Sequence, residues 1–85
     1  MQNKILADAI NEYIYALRQL VHIAGLLETH KELTPKQKYD ATKAIERLTR
    51  IKTQSESTML GIIDSVSAED RHEWALLLEP YMQEV

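Results

Sequence analysis

The chain predicts an all-α fold, a long antiparallel hairpin of two helices followed by a short third helix. Three observations carry that prediction. Two glycines and two prolines in 85 residues leave too little turn chemistry for a β fold. Leu6, Ile10, Tyr13, Leu17, Leu20, Ala24 and Leu27 recur at alternating four- and three-residue steps, the spacing of a helical seam. Leu33-Thr34-Pro35-Lys36-Gln37 then carries the signature of a helix start only a few residues after the first pattern ends.

The first helix is expected over residues 3–30. Ile5, Ala9, Ala16, Ile23 and Leu26 flank its seam on one side, and Ala7, Ile14 and Val21 flank it on the other. A helix resting on one neighbour needs an apolar arc of roughly 100°. This one is wider, so cover from two or three sides is expected. His30 and Lys31 supply positive charge at the end, where the helix dipole is negative.

The second helix is expected over 35–66. Thr34 is a good N-cap, Pro35 suits the first helical position, and Gln37 completes a capping box. So short a connection returns the second helix antiparallel to the first. Its apolar stripe is Ala41, Ile45, Leu48, Met59, Ile62 and Val66, with no large apolar residue from Lys52 to Thr58. Either the helix continues with Ser55 as a small residue at the seam, or it breaks near 53–57 and restarts on Ser55 or Ser57. An unbroken helix of ~48 Å would match the ~42 Å of the first, which favours continuity.

Ser67-Ala68-Glu69-Asp70 marks a third start, with a serine cap and acids in the first turn. The third helix is expected over about 68–79, with Trp74, Leu77, Leu78 and Tyr81 on one face. Pro80 removes a backbone donor, so a kink or restart is expected near Glu79, with a frayed tail to Val85. The whole, 1–85, reads as a single helical domain.

Composition narrows function more than it identifies it. The absence of cysteine removes disulfides and thiolate metal sites. No run approaches the ~20 apolar residues that span a bilayer. Met1-Gln2-Asn3-Lys4 lacks a secretory pattern, so the cytoplasm is the expected compartment and no membrane partner is expected. His22 and His30 point about 80° apart on one helix, and no His-Glu-x-x-His occurs. Glu69, Asp70 and Glu73 lack the spacing of a calcium loop and read as capping and solubility. Gly25 and Gly61 stand alone inside helices, so there is no phosphate loop. No enzyme activity, metal or cofactor is expected.

Partner surfaces remain. A small chain with a widely apolar first helix favours self-association. A homodimer resembling a four-helix bundle is expected, through Leu6, Ile10, Tyr13, Ile14, Leu17, Leu20, Val21 and Leu27. Charge is also uneven. Residues 35–52 hold six bases against Asp40 and Glu46, a net of +4, while residues 53–85 hold Arg71 against seven acids, a net of −6. Lys36, Lys43, Arg47 and Arg50 share one helix face. That face either pairs with the acidic C-terminal third of its own or a second chain, or meets a separate acidic partner. Tyr15, Arg18, Trp74 and Tyr81 are further partner candidates, although Trp74 and Tyr81 equally suit the hairpin's own core.

The leading expectation is a non-enzymatic protein-binding module: an adaptor, chaperone or inhibitor of a larger assembly. A nucleic-acid-associated regulator using the basic face ranks second, because the isoelectric point near 5.5 argues against it.

Overall fold

A computed structural model describes residues 1–30 and 32–82. Expectations for Lys31 and for the tail 83–85 fall outside the described residues. Helix α1 spans Lys4–Thr29, α2 spans Pro35–Ile62 and α3 spans Ala68–Met82. There is no strand among the described residues.

Each helix begins where its cap is encoded. The Asn3 Oδ1 accepts from the Leu6 N–H at 2.9 Å. At α2 both halves of the capping box form: the Gln37 N–H donates to Thr34 Oγ1 at 3.1 Å, and the Thr34 N–H donates to Gln37 Oε1 at 2.9 Å. Ser67 Oγ accepts from the Asp70 N–H at 3.1 Å and starts α3. His30 closes α1, its backbone N–H donating to the Leu26 carbonyl at 2.9 Å.

Helix α2 runs unbroken through its polar middle. The Ser55 hydroxyl donates to the Ile51 and Lys52 carbonyls at 2.9 and 3.1 Å, and Thr58 donates to the Gln54 carbonyl at 3.0 Å. Hydroxyls that bond back along the helix do not cap a new one. Ser55 is buried, a small residue set into the seam. The helix ends at Ile62, four residues short of the expected Val66. A 3-10 turn over Ile63–Ser65 follows, and the extended backbone of Val66 returns its side chain to the core.

Of the kink or restart expected near Glu79, no restart occurs. Helix α3 continues through Pro80 to Met82. A proline in the last turn leaves only the Leu76 carbonyl without its helical donor. Leu76 and Pro80 are both exposed, so water can satisfy it.

Helices α1 and α2 lie antiparallel and α3 lies along α1 in the same direction. Asp70 near the start of α3 meets Gln2 and Asn3, and Leu77 shares a small cavity with Ala7, Ile10 and Asn11. Near its end Tyr81 meets Arg18, whose Nε–H donates to the Tyr81 hydroxyl at 3.1 Å. The core therefore sits at one end. Leu6, Ala9, Ile10, Met59, Val66 and Leu78 are buried together, with Tyr13, Ile14, Ile62, Ile63 and Trp74 packed against them. Beyond Ala16 on α1 and before Leu48 on α2 no residue is fully buried. The molecule measures 49 × 21 × 18 Å with a radius of gyration of 15.5 Å, against about 12 Å for a compact domain of this length. Among the described residues three helices pack together at one end and two at the other.

Candidate functional site

The thin end of the hairpin exists because α3 is shorter than the surface prepared for it. Ala7, Ile14 and Val21 lie at seven-residue steps along one line of α1. Ala7 and Ile14 are half-buried where α3 passes, whereas Val21, one step beyond, is 72% exposed. The main seam behaves the same way. Leu6 is fully buried, Tyr13 and Leu20 are half-buried, and Leu27 is exposed.

Across from this stretch α2 offers small side chains. Ala41 and Ala44 leave space that larger residues would fill. The result is an open groove of about 410 Å³ lined by Ile23, Leu26, Leu27, Leu33, Ala41 and Ala44, with His30, Gln37 and Asp40 among the polar residues that join them. The groove is chiefly hydrocarbon, and exposed apolar concavities of this kind mark places of contact.

The basic face of α2 runs along the same end. Lys36 pairs with Asp40 at 3.6 Å and Lys43 with Glu46 at 3.7 Å, both within α2 and both exposed. Such pairs are worth ~0.3–0.5 kcal/mol and exchange readily for another partner. Lys43 also stands 5.6 Å from the centre of the Tyr39 ring. Arg47 and Arg50 are exposed and form no ion pair among the described residues. None of the four bases pairs with an acid of the C-terminal third in the described residues, because α3 packs at the opposite end.

The expected self-association seam divides at mid-helix. Leu6 and Ile10 lie inside the chain's own core and offer no free surface, while Tyr13 and Ile14, half-buried, pack against it. Leu17 and Leu20 are half-buried, and Val21 and Leu27 are exposed. Trp74 also turns inward, its Nε1–H lying 3.3 Å from Met59 Sδ. Tyr81 is held by Arg18, and Tyr15 is exposed.

At mid-hairpin, Lys52 Nζ stands 5.7 Å from the Tyr13 ring centre and 3.8 Å from Glu56. Partial burial, and then the Glu56 carboxylate, push the Tyr13 phenol above its usual value. It stays neutral at physiological pH, so this cluster joins α1 to α2 without offering a proton. No group of three or more His, Cys, Asp or Glu is arranged to hold a metal ion among the described residues, and none of their helices is long and apolar enough to cross a membrane.

Asp70 has a role that its sequence position does not advertise. Its carboxylate is buried and accepts from the Gln2 N–H at 3.0 Å and the Asn3 N–H at 2.8 Å. Those two bonds, Gln2 first, lower its pKa. A folded-state pKa below the unfolded value, about 3.9, gives stability that is complete above that value and lost as pH falls through the folded one. Thermal scans across acid pH are therefore expected to show Tm falling below about pH 4. Asp70→Asn should lower Tm at neutral pH and flatten that acid decline. An unchanged acid slope in the variant would remove Asp70 as its source.

No family model, no curated protein and no solved structure matches the chain.

Proposed function

We propose that this protein is a non-enzymatic protein-binding module whose docking surface is the thin end of the hairpin. One observation carries the reading: an apolar stripe that α3 covers over its first half continues along α1 to exposed Val21, beyond the described length of α3. Exposed Leu26 and Leu27 border a groove floored by alanines, exposed Val21 stands on the other side of α1, and a basic line runs along the neighbouring helix. Apolar contact supplies affinity there, and the bases favour a partner of acidic character. A module of this kind serves as an adaptor, chaperone or inhibitor within a larger assembly.

The test compares binding partners recovered by wild-type protein and by Leu26→Asp from the native host. Leu26 is exposed, so the variant keeps its fold, checked by circular dichroism. Partners bound through the groove are lost with Leu26→Asp and kept with Tyr15→Ala. Recovery of the same partners by both variants would place the surface elsewhere.

The second reading, a nucleic-acid-associated regulator, is favoured by Arg47 and Arg50, which form no ion pair among the described residues. Four bases on one face would give a sequence-blind affinity that falls with salt. A mobility-shift titration at low salt decides it. No shift removes this reading, whereas a shift lost on Arg47→Glu would promote it.

A further inference from the structure

We infer that the thin end of the hairpin is filled by α3 of a second copy, in a two-fold antiparallel dimer. This rests on reading that end as a docking surface and names the occupant of its Val21 side, the groove of Leu26 and Leu27 lying on the other side of α1. Four observations converge on it.

The first is length. A 15-residue helix is ~22 Å long, so two laid end to end cover ~45 Å. The long dimension of the chain is 49 Å. One α3 thus covers about half of a hairpin, and there is no second such helix among the described residues. Turning a second chain end for end sets its α3 over the uncovered half of the first. The same rotation sets the first chain's α3 over the uncovered half of the second. The two α3 helices become a shared middle layer between two hairpins, and each contact occurs twice, as two-fold symmetry requires.

The second is the outer face of α3. His72, Ala75, Leu76, Glu79 and Met82 form a stripe at helical spacing around a shallow depression. Leu76 is 54% exposed and Met82 is 64% exposed. Packing against its own hairpin leaves α3 a second apolar face, which a helix sandwiched between two layers needs.

Charge complementarity is the third. Residues 68–82 carry a net of −3, of which Asp70 is buried against Gln2 and Asn3 and Glu73 pairs with the Met1 ammonium, leaving Glu69 and Glu79 exposed, whereas the α2 segment 35–52 carries +4. Within one chain these lie at opposite ends. An end-for-end rotation brings the acidic helix of one copy to the basic end of the other.

Surface area is the fourth. The chain exposes 6365 Å², while a compact monomer of 9.8 kDa exposes about 5,200 Å². The surplus of roughly 1,200 Å² exceeds the ~800 Å² that each partner contributes to a stable interface of standard size.

Light scattering after size exclusion is expected to return a mass near twice 9.8 kDa at micromolar concentration. Leu76→Asp, an exposed change that leaves the helical circular dichroism intact, is expected to return the monomer. The chain contains no cysteine, so single-cysteine variants report geometry cleanly. Val21→Cys and Leu76→Cys, mixed and oxidised, are expected to cross-link to each other in preference to themselves. A dimer that survives Leu76→Asp, or one in which Val21→Cys links only to itself, overturns the arrangement. A wild-type monomer also overturns it, with two separable meanings. If Leu26-dependent capture of another protein persists, the docking surface stands and its occupant is foreign. If capture is absent too, both readings fall.

Discussion

Leu6→Ala is expected to destabilise the fold by ~2–5 kcal/mol, a fall in Tm of roughly 10–30 °C. Leu6 is fully buried where all three helices meet, among Ile10, Met59 and Leu78. Removing three carbons there forfeits their transfer from water and leaves a cavity that packed neighbours refill only in part. A chain of this size has ~4–13 kcal/mol of stability in total, so this one change removes a large share of it. Leu27→Ala deletes the same atoms at the other end of the same seam. Leu27 is already exposed, and at dilution low enough to prevent association its loss should cost under ~1 kcal/mol. Thermal unfolding followed by circular dichroism measures both. Equal losses would mean that the two ends of the hairpin are equally packed, contrary to the distribution of buried residues.

Trp74→Ala is expected to cost ~3 kcal/mol, the low end of the range for a deleted core aromatic, because the ring is half-buried rather than enclosed. Its effect differs in kind from that of Leu6→Ala. Trp74 and Leu78 hold α3 to the hairpin, and the indole N–H points at Met59 Sδ. Losing the ring loosens α3 first, and with it the Arg18–Tyr81 and Asp70–Gln2 contacts that lie on either side. Hydrogen exchange is expected to rise across α3 and the first turn of α1 before it rises in α2. Trp74→Phe, which keeps most of the apolar area and removes the N–H, should cost far less. A uniform rise in exchange throughout the chain in Trp74→Ala would show that α3 and the hairpin open as one unit.

Much of the fold is local, and local signals were legible. The Thr34–Gln37 box, the Pro35 start and the Ser67 cap act within four residues, so sequence spacing states them outright. The polar middle of α2 left two readings, and the buried position of Ser55 decided between them. A small residue without large apolar neighbours looks like a break in sequence and like a seam in space. Pro80 left a kink or a restart open for a related reason. Its cost depends on whether the orphaned carbonyl is buried, and sequence does not report that the last turn of α3 is wet.

The candidate site was legible only as an excess. The width of the apolar arc on α1 announced that more cover was needed than one helix supplies. It did not say which residues would find that cover inside the chain. Leu6 and Val21 look alike in the pattern, yet one is sealed and the other is bare. Asp70 was hidden for the same reason, since its partners lie 67 and 68 residues away.

Sequence alone determined the helical class, the two boundaries, the antiparallel return and the segregation of charge, because each follows from periodicity, caps or composition within a few residues. Tertiary structure decided where α3 lies, how far along α1 it reaches, and therefore which half of one continuous apolar seam is core and which half is surface. That outcome depends on the 3-10 turn that reverses the chain after Ile62 and on the length of α3 relative to the hairpin, and no local pattern encodes either against the other.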